Sequence, residues 1–498
     1  MRGVTDPFAG LEPARFWRHF EALTQIPRPT FGEERVAAHV LAWAGGRGYQ
    51  TRRDAAGNLV VLVPATRGRE RAPTVILQGH LDIVCERDPD SPFDPREGRI
   101  GVVRDGEWLR ADGTTLGADD GVAIAAMLAL VEDPRVAHGP LELLMTVAEE
   151  VGMAGAADLD PELITGRVLL NLDSEEDATL TVGCAGGADS ILRLEAPRAA
   201  VGPGEVAFRV SASGGRGGHS GGDIAAGRSN AIKLLARALA VVPGIRIASL
   251  DGGASRNAIP RGATAIVVGP EAARRTIETA GADAARAYEK TDPGVRVTVE
   301  DAHESGAHAD SGGPLGDRPS RAPDAWTAEA SARIVDLVAT LPAGPLGMSA
   351  DFPGVVETSS SLGVAETQDG RLTLHCLSRS ANDAVIPEVT LAVAAAARLA
   401  GAEVEPGRVY PGWLPDLDSP VLATARAVHE RLFDKPVHVS LTHGGLEPAI
   451  IGHRKPGLDM ISFGPQIEGP HAPGERLHIG SAQRFMRLLA ALVDELSR

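Results

Sequence analysis

Five stretches of the chain put His, Asp and Glu where they could act together. In Gln78-Gly79-His80-Leu81-Asp82 a histidine and an aspartate lie two residues apart. At the end of a strand such residues point to the same side, so a neutral imidazole is available to a zinc-like metal while the carboxylate can hold the other ring nitrogen. The same pair could also serve only to satisfy a loop. Thr114-Thr115-Leu116-Gly117-Ala118-Asp119-Asp120-Gly121 offers two acids ahead of an apolar run. One of them can cap the helix that follows; the other, in a tight Gly-flanked loop, could bridge two cations. Val147-Ala148-Glu149-Glu150 closes a hydrophobic stretch with adjacent glutamates that must point in different directions. That suits one as a metal ligand and the other as a general base. Asn171-Leu172-Asp173-Ser174-Glu175-Glu176 delivers a further carboxylate, and Gly469-Pro470-His471-Ala472-Pro473-Gly474 holds a histidine in a stiffened loop. His478, close to a helix start, is suited to capping or packing. Acids crowded together without a cation would repel one another. A mixed His/carboxylate set with a shared bridge is the coordination chemistry of a two-metal hydrolytic site.

Hydrophobic spacing indicates the elements that must position these groups. Phe16, Trp17, Phe20, Leu23 and Ile26 recur at helical intervals, and a second helix is expected after Phe31-Gly32-Glu33-Glu34. The runs at 58–63, 74–78, 141–147 and 167–172 are short, apolar and bounded by turn residues, as buried strands are. Asp120-Gly121 opens an apolar helix that should end near Asp133-Pro134. This alternation predicts an α/β fold with a central, mostly parallel sheet flanked by helices. Such sheets bind ligands at the carboxyl ends of their strands, where the acidic clusters fall. Beyond Gly183 the texture changes to Gly-rich turns between alternating runs at 205–210 and 263–268, with a helix over 230–241, which reads as a separate α+β unit. The stretch 301–325 has no periodicity and is expected to be a surface loop. After Ala397 the α/β texture returns, with a helix near 423–432 and a last one from Ser481.

Composition sets the outer bounds. At ~100–200 residues per domain, 498 residues predict two to four units. Lys and Arg total 49 against 66 Asp and Glu, a net charge of −17, and aromatic residues are 4%. An acidic chain with few stacking rings is a poor partner for nucleic acid. With 43% apolar and 23% charged residues it is an ordinary globular chain. Cys85, Cys184 and Cys376 cannot build a disulfide framework. The start has no basic-then-apolar run, and the longest apolar stretch, Val122 to Val131, is about half of the ~20 residues a membrane span needs. A reduced, cytoplasmic chain with no membrane partner is expected.

Taken in order, the motifs around His80, Asp119, Glu149-Glu150, Asp173 and His471 resemble those of the aminoacyl-histidine (Xaa-His, carnosine-type) dipeptidases among the co-catalytic di-zinc metallopeptidases, over nearly the whole chain. The resemblance implies a catalytic domain formed by 1–187 and 398–498, interrupted by an inserted α+β lid at 188–397 that hinges near 183–187 and 397–401. It implies two divalent metal ions, zinc by type, with manganese or cobalt also suited to His/carboxylate donors. His80 and Asp173 would hold one, Glu150 and His471 the other, and Asp119 would bridge them. Asp82 would orient His80, and Glu149 would be the general base toward water between the metals. In the lid, Gly217-Gly218-His219-Ser220-Gly221-Gly222 matches the stretch whose histidine polarises the scissile carbonyl, and Ser255-Arg256-Asn257 the loop whose Asn approaches substrate. Arg379 is placed to pair with a free C-terminal carboxylate, a task suited to a forked guanidinium. The implied activity is hydrolysis of small unblocked dipeptides, Xaa-His in type, by a homodimer formed through the lid.

The chain departs from that pattern at Asp120, where an Asn is expected, and at Thr442-His443-Gly444-Gly445-Leu446-Glu447, which replaces an Ala- and Cys-containing loop. His443 and Glu447 are therefore candidate substrate contacts. Gly218-His219-Ser220-Gly221-Gly222 formally fits a serine nucleophile motif. That motif needs its Ser on a sharp turn directly between strand and helix, whereas a run of Ser, Gly and Arg separates Val210 from Ser220. A non-catalytic peptide-binding relative would be expected to lose its base, yet Glu149 is present. A related di-metal tripeptidase, carboxypeptidase or aminoacylase would share the metals and base and differ only in pocket residues.

Overall fold

The computed structural model describes residues 6–302 and 324–498. The stretch expected as a surface loop at 301–325 lies, apart from its ends, outside the described residues. The chain divides into two units. One comprises Met1–Cys184, Trp413–Leu441 and Leu446–Arg498; the other comprises Ala185–Gly412 and Thr442–Gly445.

The first unit is built on an eight-stranded sheet. At its centre Leu141–Thr146, Val75–His80, Val168–Asn171 and Asp459–Ser462 lie side by side and parallel. Toward one edge Leu59–Val63 and Gln50–Arg53 add antiparallel, and Thr179–Cys184 meets Asp459–Ser462 antiparallel on the other side. The sheet is therefore mixed, and parallel only in the part that carries the acidic clusters. Strands Val75–His80 and Leu141–Thr146 are buried at every position, as expected where both faces of a parallel sheet are covered.

Helix Ala118–Glu132 covers this centre and is buried all round from Asp120 to Leu130, which makes it a core helix rather than an amphipathic one. It lies so close to the strand that a Cβ at Gly79 would come within 2.3 Å of Asp120 Oδ2 and 2.5 Å of Ala123 Cβ. Helix Ala14–Thr24 packs Phe16, Trp17, Phe20 and Leu23 inward, as their spacing predicts. A small four-stranded sheet joins Ile467–Glu468, Arg476–His478, Trp108–Ala111 and Val102–Asp105. Its hairpin carries the 469–475 loop, while the strand paired with it leads into the 112–119 loop.

The second unit is a nine-stranded antiparallel sheet with helices Ala231–Leu239, Ala273–Arg286, Ala328–Thr340 and Ile386–Ala400. From Ala207 onward strand Val206–Ser213 alternates between partly buried and buried positions, placing Phe208 and Val210 in a core with Leu235, Ile277, Ile334 and Val393. This unit extends to Gly412 because Glu403–Tyr410 pairs with Gly186–Glu195. The stretch 397–401, expected to be a hinge, is instead the packed end of helix Ile386–Ala400, with Ala397 and Ala400 in the core.

Candidate metal centre

The parallel strands end along one edge of the sheet, and three of them deliver site residues there. His80 is the last residue of its strand, Glu149 and Glu150 follow Thr146, and Asp173 follows Asn171. His471 comes from the hairpin loop, and Asp119 from the turn opening the core helix. Asp119 stands between the two histidines: its Oδ1 is 2.8 Å from His80 Nε2 and its Oδ2 is 3.0 Å from His471 Nε2. On one side His80 Nε2 also faces Asp173 Oδ1 at 3.6 Å; on the other, His471 Nε2 faces Glu150 Oε2 at 2.9 Å. His80, Asp119 and Asp173 form one group with ligand atoms close enough to share an ion, and Asp119, Glu150 and His471 form a second. A third groups His80 with Glu149 and Glu150.

Electrostatics supports the same division. Burial and the facing acids push Asp173 up to about 6 and Glu175 up to about 8. Burial, with Asp173, Glu447 and Glu150 nearby, raises Glu149 well above the usual range. His471, hydrogen-bonded by Asp119 and Glu150, rises to about 11. Proton affinities distorted this far mark a surplus of buried negative charge, and imidazole with carboxylate is a donor set that fits two divalent cations. Ala148 and His471 both take left-handed backbone conformations, φ 51 and 62 degrees, an arrangement uncommon outside glycine that often marks functional loops.

Residues 76–495 match the model of peptidase family M20/M25/M40. The chain belongs to this family. M20 peptidases are metallopeptidases, in keeping with the donor set. The cytosol non-specific dipeptidase of Escherichia coli (strain K12) is 37% identical over 489 residues, covering 98% of each chain. The crystal structure of an aminoacylhistidine dipeptidase from Vibrio alginolyticus superposes with a TM-score of 0.83 at 34% identity, covering 99% of this chain and 98% of that one. Aminopeptidase PepT from Bacillus cereus shares the fold, with a TM-score of 0.55 at 17% identity over 98% of this chain and 100% of that one.

Within this M20 chain, Asp82 acts differently from the simple His–Asp pair. His80 Nδ1 lies 3.1 Å from the backbone carbonyl of Asp82 and 3.6 Å from its Oδ1. The Asp82 carboxylate is turned to the next loop: Oδ1 accepts from the Glu149 N–H at 3.0 Å, and Oδ2 from the Glu150 N–H at 3.2 Å and the Thr30 hydroxyl at 2.9 Å. Asp82 therefore holds the Glu149-Glu150 turn as well as facing His80. Asp120 caps the core helix through Ala123 N–H and accepts from His80 N–H. His478 caps the last helix through Ser481 N–H and packs edge-on against Trp108.

Four expected contact residues lie in the second unit. Arg379 is fixed by Tyr410, with its Nη1 2.9 Å from the hydroxyl, and its Nη2 lies 3.4 Å from His219 Nε2. The carbonyl of Asn257 accepts from Ser220 N–H at 2.7 Å, setting its loop beside His219. His443 meets the Ser359 hydroxyl at 2.7 Å; a Cβ at Gly221 would touch both the His443 carbonyl and the His219 ring. Burial and the charge of Arg379 lower His443 to about 4, so its imidazole is neutral. Ser220 is 1% exposed, which removes it as an accessible nucleophile. Glu447 does not belong to that unit. It is fully buried in the first, where Oε2 accepts from Gln78 Nε2 at 2.5 Å and the Thr146 hydroxyl at 2.7 Å.

Three residues that position the centre were not singled out by spacing. Arg28 is 2% exposed and donates to the carbonyls of Leu81 and Asp82, at 3.1 and 3.3 Å, and of Gly117 at 2.6 Å. Glu33 Oε1 accepts from Phe31 and Ala148 N–H, each at 3.0 Å. Glu475 accepts from four backbone N–H groups of the Asp119 turn. The Pro and Gly flanking Thr30-Phe31 were the only signal that 28–33 is an ordered strap.

Proposed function

We propose that this metallopeptidase hydrolyses small unblocked dipeptides, Xaa-His peptides among them, in the cytosol. The observation that carries the proposal is the placement of Asp119, whose two oxygens face two histidines from different elements. His80 and Asp173 would hold one divalent cation, Glu150 and His471 the other, with Asp119 shared; zinc, manganese and cobalt all suit these donors. When bound, such a pair lowers the pKa of water and steadies the charge that develops on the scissile carbonyl oxygen.

The chain supplies the rest. The Glu149 carboxylate takes a proton from the attacking water and passes it to the departing amine nitrogen. Asp82 fixes the turn from which Glu149 reaches, through the backbone bonds described above. Arg379 binds the substrate's free carboxylate with its forked guanidinium, and His219 donates toward the carbonyl oxygen. Asn257 and His443 add polar contacts to the peptide. The second unit, in this reading, is the lid of the enzyme and the surface through which it forms a homodimer.

The test is hydrolysis of Gly-His, β-Ala-His, a tripeptide and an N-acyl amino acid, with chelator and with zinc, manganese or cobalt restored. Chelator-sensitive cleavage of the dipeptides that returns with metal is the expected result. A clear preference for the N-acyl amino acid or the tripeptide would overturn the dipeptidase assignment.

A further inference from the structure

The Asp119 turn is held in a way that capping alone does not require. Glu475 is 2% exposed and sits four residues beyond His471 in the same hairpin. Its Oε2 accepts from Leu116 N–H at 2.7 Å and Gly117 N–H at 2.9 Å. Its Oε1 accepts from Ala118 N–H at 2.7 Å and Asp119 N–H at 3.3 Å. Four successive amides thus converge on one carboxylate, with Gly117 in a left-handed conformation, φ 68 degrees, that turns them to a common side. The carbonyl of Gly117 is held from the other direction by buried Arg28 at 2.6 Å. The peptide unit joining Gly117 and Ala118 is therefore gripped at its N–H by Glu475 and at its C=O by Arg28, both buried.

An ordinary helix cap engages one or two amides at the first turn. Here the regular helix starts later, because Asp119 and Asp120 have non-helical backbone angles. The amides bound by Glu475 belong to the turn that aims Asp119. The same residue ties the turn to the loop that carries His471, and a short strand pairing, Leu477 with Leu109, holds the bases of the two loops together.

We infer that Glu475 is a positioning residue that presets the distance between Asp119 and His471, so that the shared carboxylate is in place before any cation arrives. This rests on the reading that Asp119 and His471 are metal ligands. Residues behind a ligand set typically change metal affinity by about 10- to 100-fold when altered. Glu475→Gln keeps the shape but removes the charge and turns an N–H toward two of the amides.

The experiment titrates metal-free protein with cobalt and follows the visible spectrum, with stoichiometry from elemental analysis, for wild type, Glu475→Gln and Asp119→Ala. The expected result is weaker cobalt binding by Glu475→Gln, by about 10- to 100-fold, with a changed ligand-field spectrum in the folded protein. A purely structural role would lower the melting temperature and leave the bound-cobalt spectrum alone; that outcome overturns the inference. Hydrogen exchange on metal-free wild type provides a measurement independent of variants. Amides 116–119 should be protected without metal, and free exchange there would overturn the inference as well. A wild-type protein that takes up no cobalt, or an Asp119→Ala variant that binds like wild type, overturns the ligand reading itself. Normal binding by Glu475→Gln beside lost binding by Asp119→Ala overturns the Glu475 assignment alone.

Discussion

Exchange of Glu149 for Gln isolates the proposed proton transfer, because the structure anchors the turn without using that side chain. Ala148, Glu149 and Glu150 are held by their backbone N–H groups, on Glu33 Oε1, Asp82 Oδ1 and Asp82 Oδ2, at 3.0, 3.0 and 3.2 Å. None of these bonds changes when one carboxylate oxygen becomes an amide nitrogen. The paired groups His80–Asp119–Asp173 and Asp119–Glu150–His471 also remain whole. What is lost is a base: an amide cannot take a proton from water near neutral pH. A positioned general base is worth about 100- to 10,000-fold. At ~1.4 kcal/mol per decade this is about 3–5 kcal/mol of barrier. The variant should bind two cations per chain by elemental analysis and show an unchanged KM for Gly-His, with kcat reduced by that factor in a discontinuous assay of released histidine. An equal fall in kcat and kcat/KM identifies an interaction made only in the transition state. A fully metallated variant whose kcat stays within about tenfold of wild type would refute the reasoning, since it lies below the range for such a base.

Two further outcomes follow from particular contacts. His443 is lowered to about 4 by burial and Arg379, against 6.5 for the free imidazole, so the unfolded chain binds a proton that the folded chain refuses between those values. Stability should therefore fall as pH drops through that window, by up to about 3 kcal/mol, and His443→Gln should flatten the slope in urea unfolding; an unchanged slope counts against it. Gly155→Ala would put a Cβ 2.2 Å from the Val147 carbonyl and 2.6 Å from Asn58 Oδ1, directly under the Glu149 turn. Overpacking of this kind costs about 1–3 kcal/mol, so the variant should unfold at lower denaturant and lose kcat, whereas wild-type values for both would show that the turn yields freely.

Much of the chemistry was legible because it is carried by local pattern. A buried parallel strand reads as an unbroken apolar run, and the residue types that close such runs, at His80, Glu149-Glu150 and Asp173, can be recognised without coordinates. The amphipathic spacing of Phe16, Trp17, Phe20 and Leu23 specifies its helix in the same way, since one face must be buried. Asp119 and His471 were legible as candidates by type and by their Gly- and Pro-flanked loops. That they share one centre depends on strand order, because Asp459–Ser462 inserts beside Val168–Asn171 and brings the C-terminal loop to the same edge.

Tertiary structure alone decided which polar groups support that centre. Arg28, Glu33 and Glu475 bind backbone amides and carbonyls, and backbone groups carry no sequence signature, so no spacing rule points to them. The partners of Glu447 were equally invisible: only the fold puts Gln78 and Thr146 beside the carboxylate of this candidate substrate contact, which is fully buried. The extent of the second unit was set by an antiparallel pairing between Gly186–Glu195 and Glu403–Tyr410, strands far apart in the chain. Side-chain period and type are local properties that the sequence determines by itself. Register, crossing order and the destination of each buried hydrogen bond are non-local, and they exist only once the chain has closed on itself.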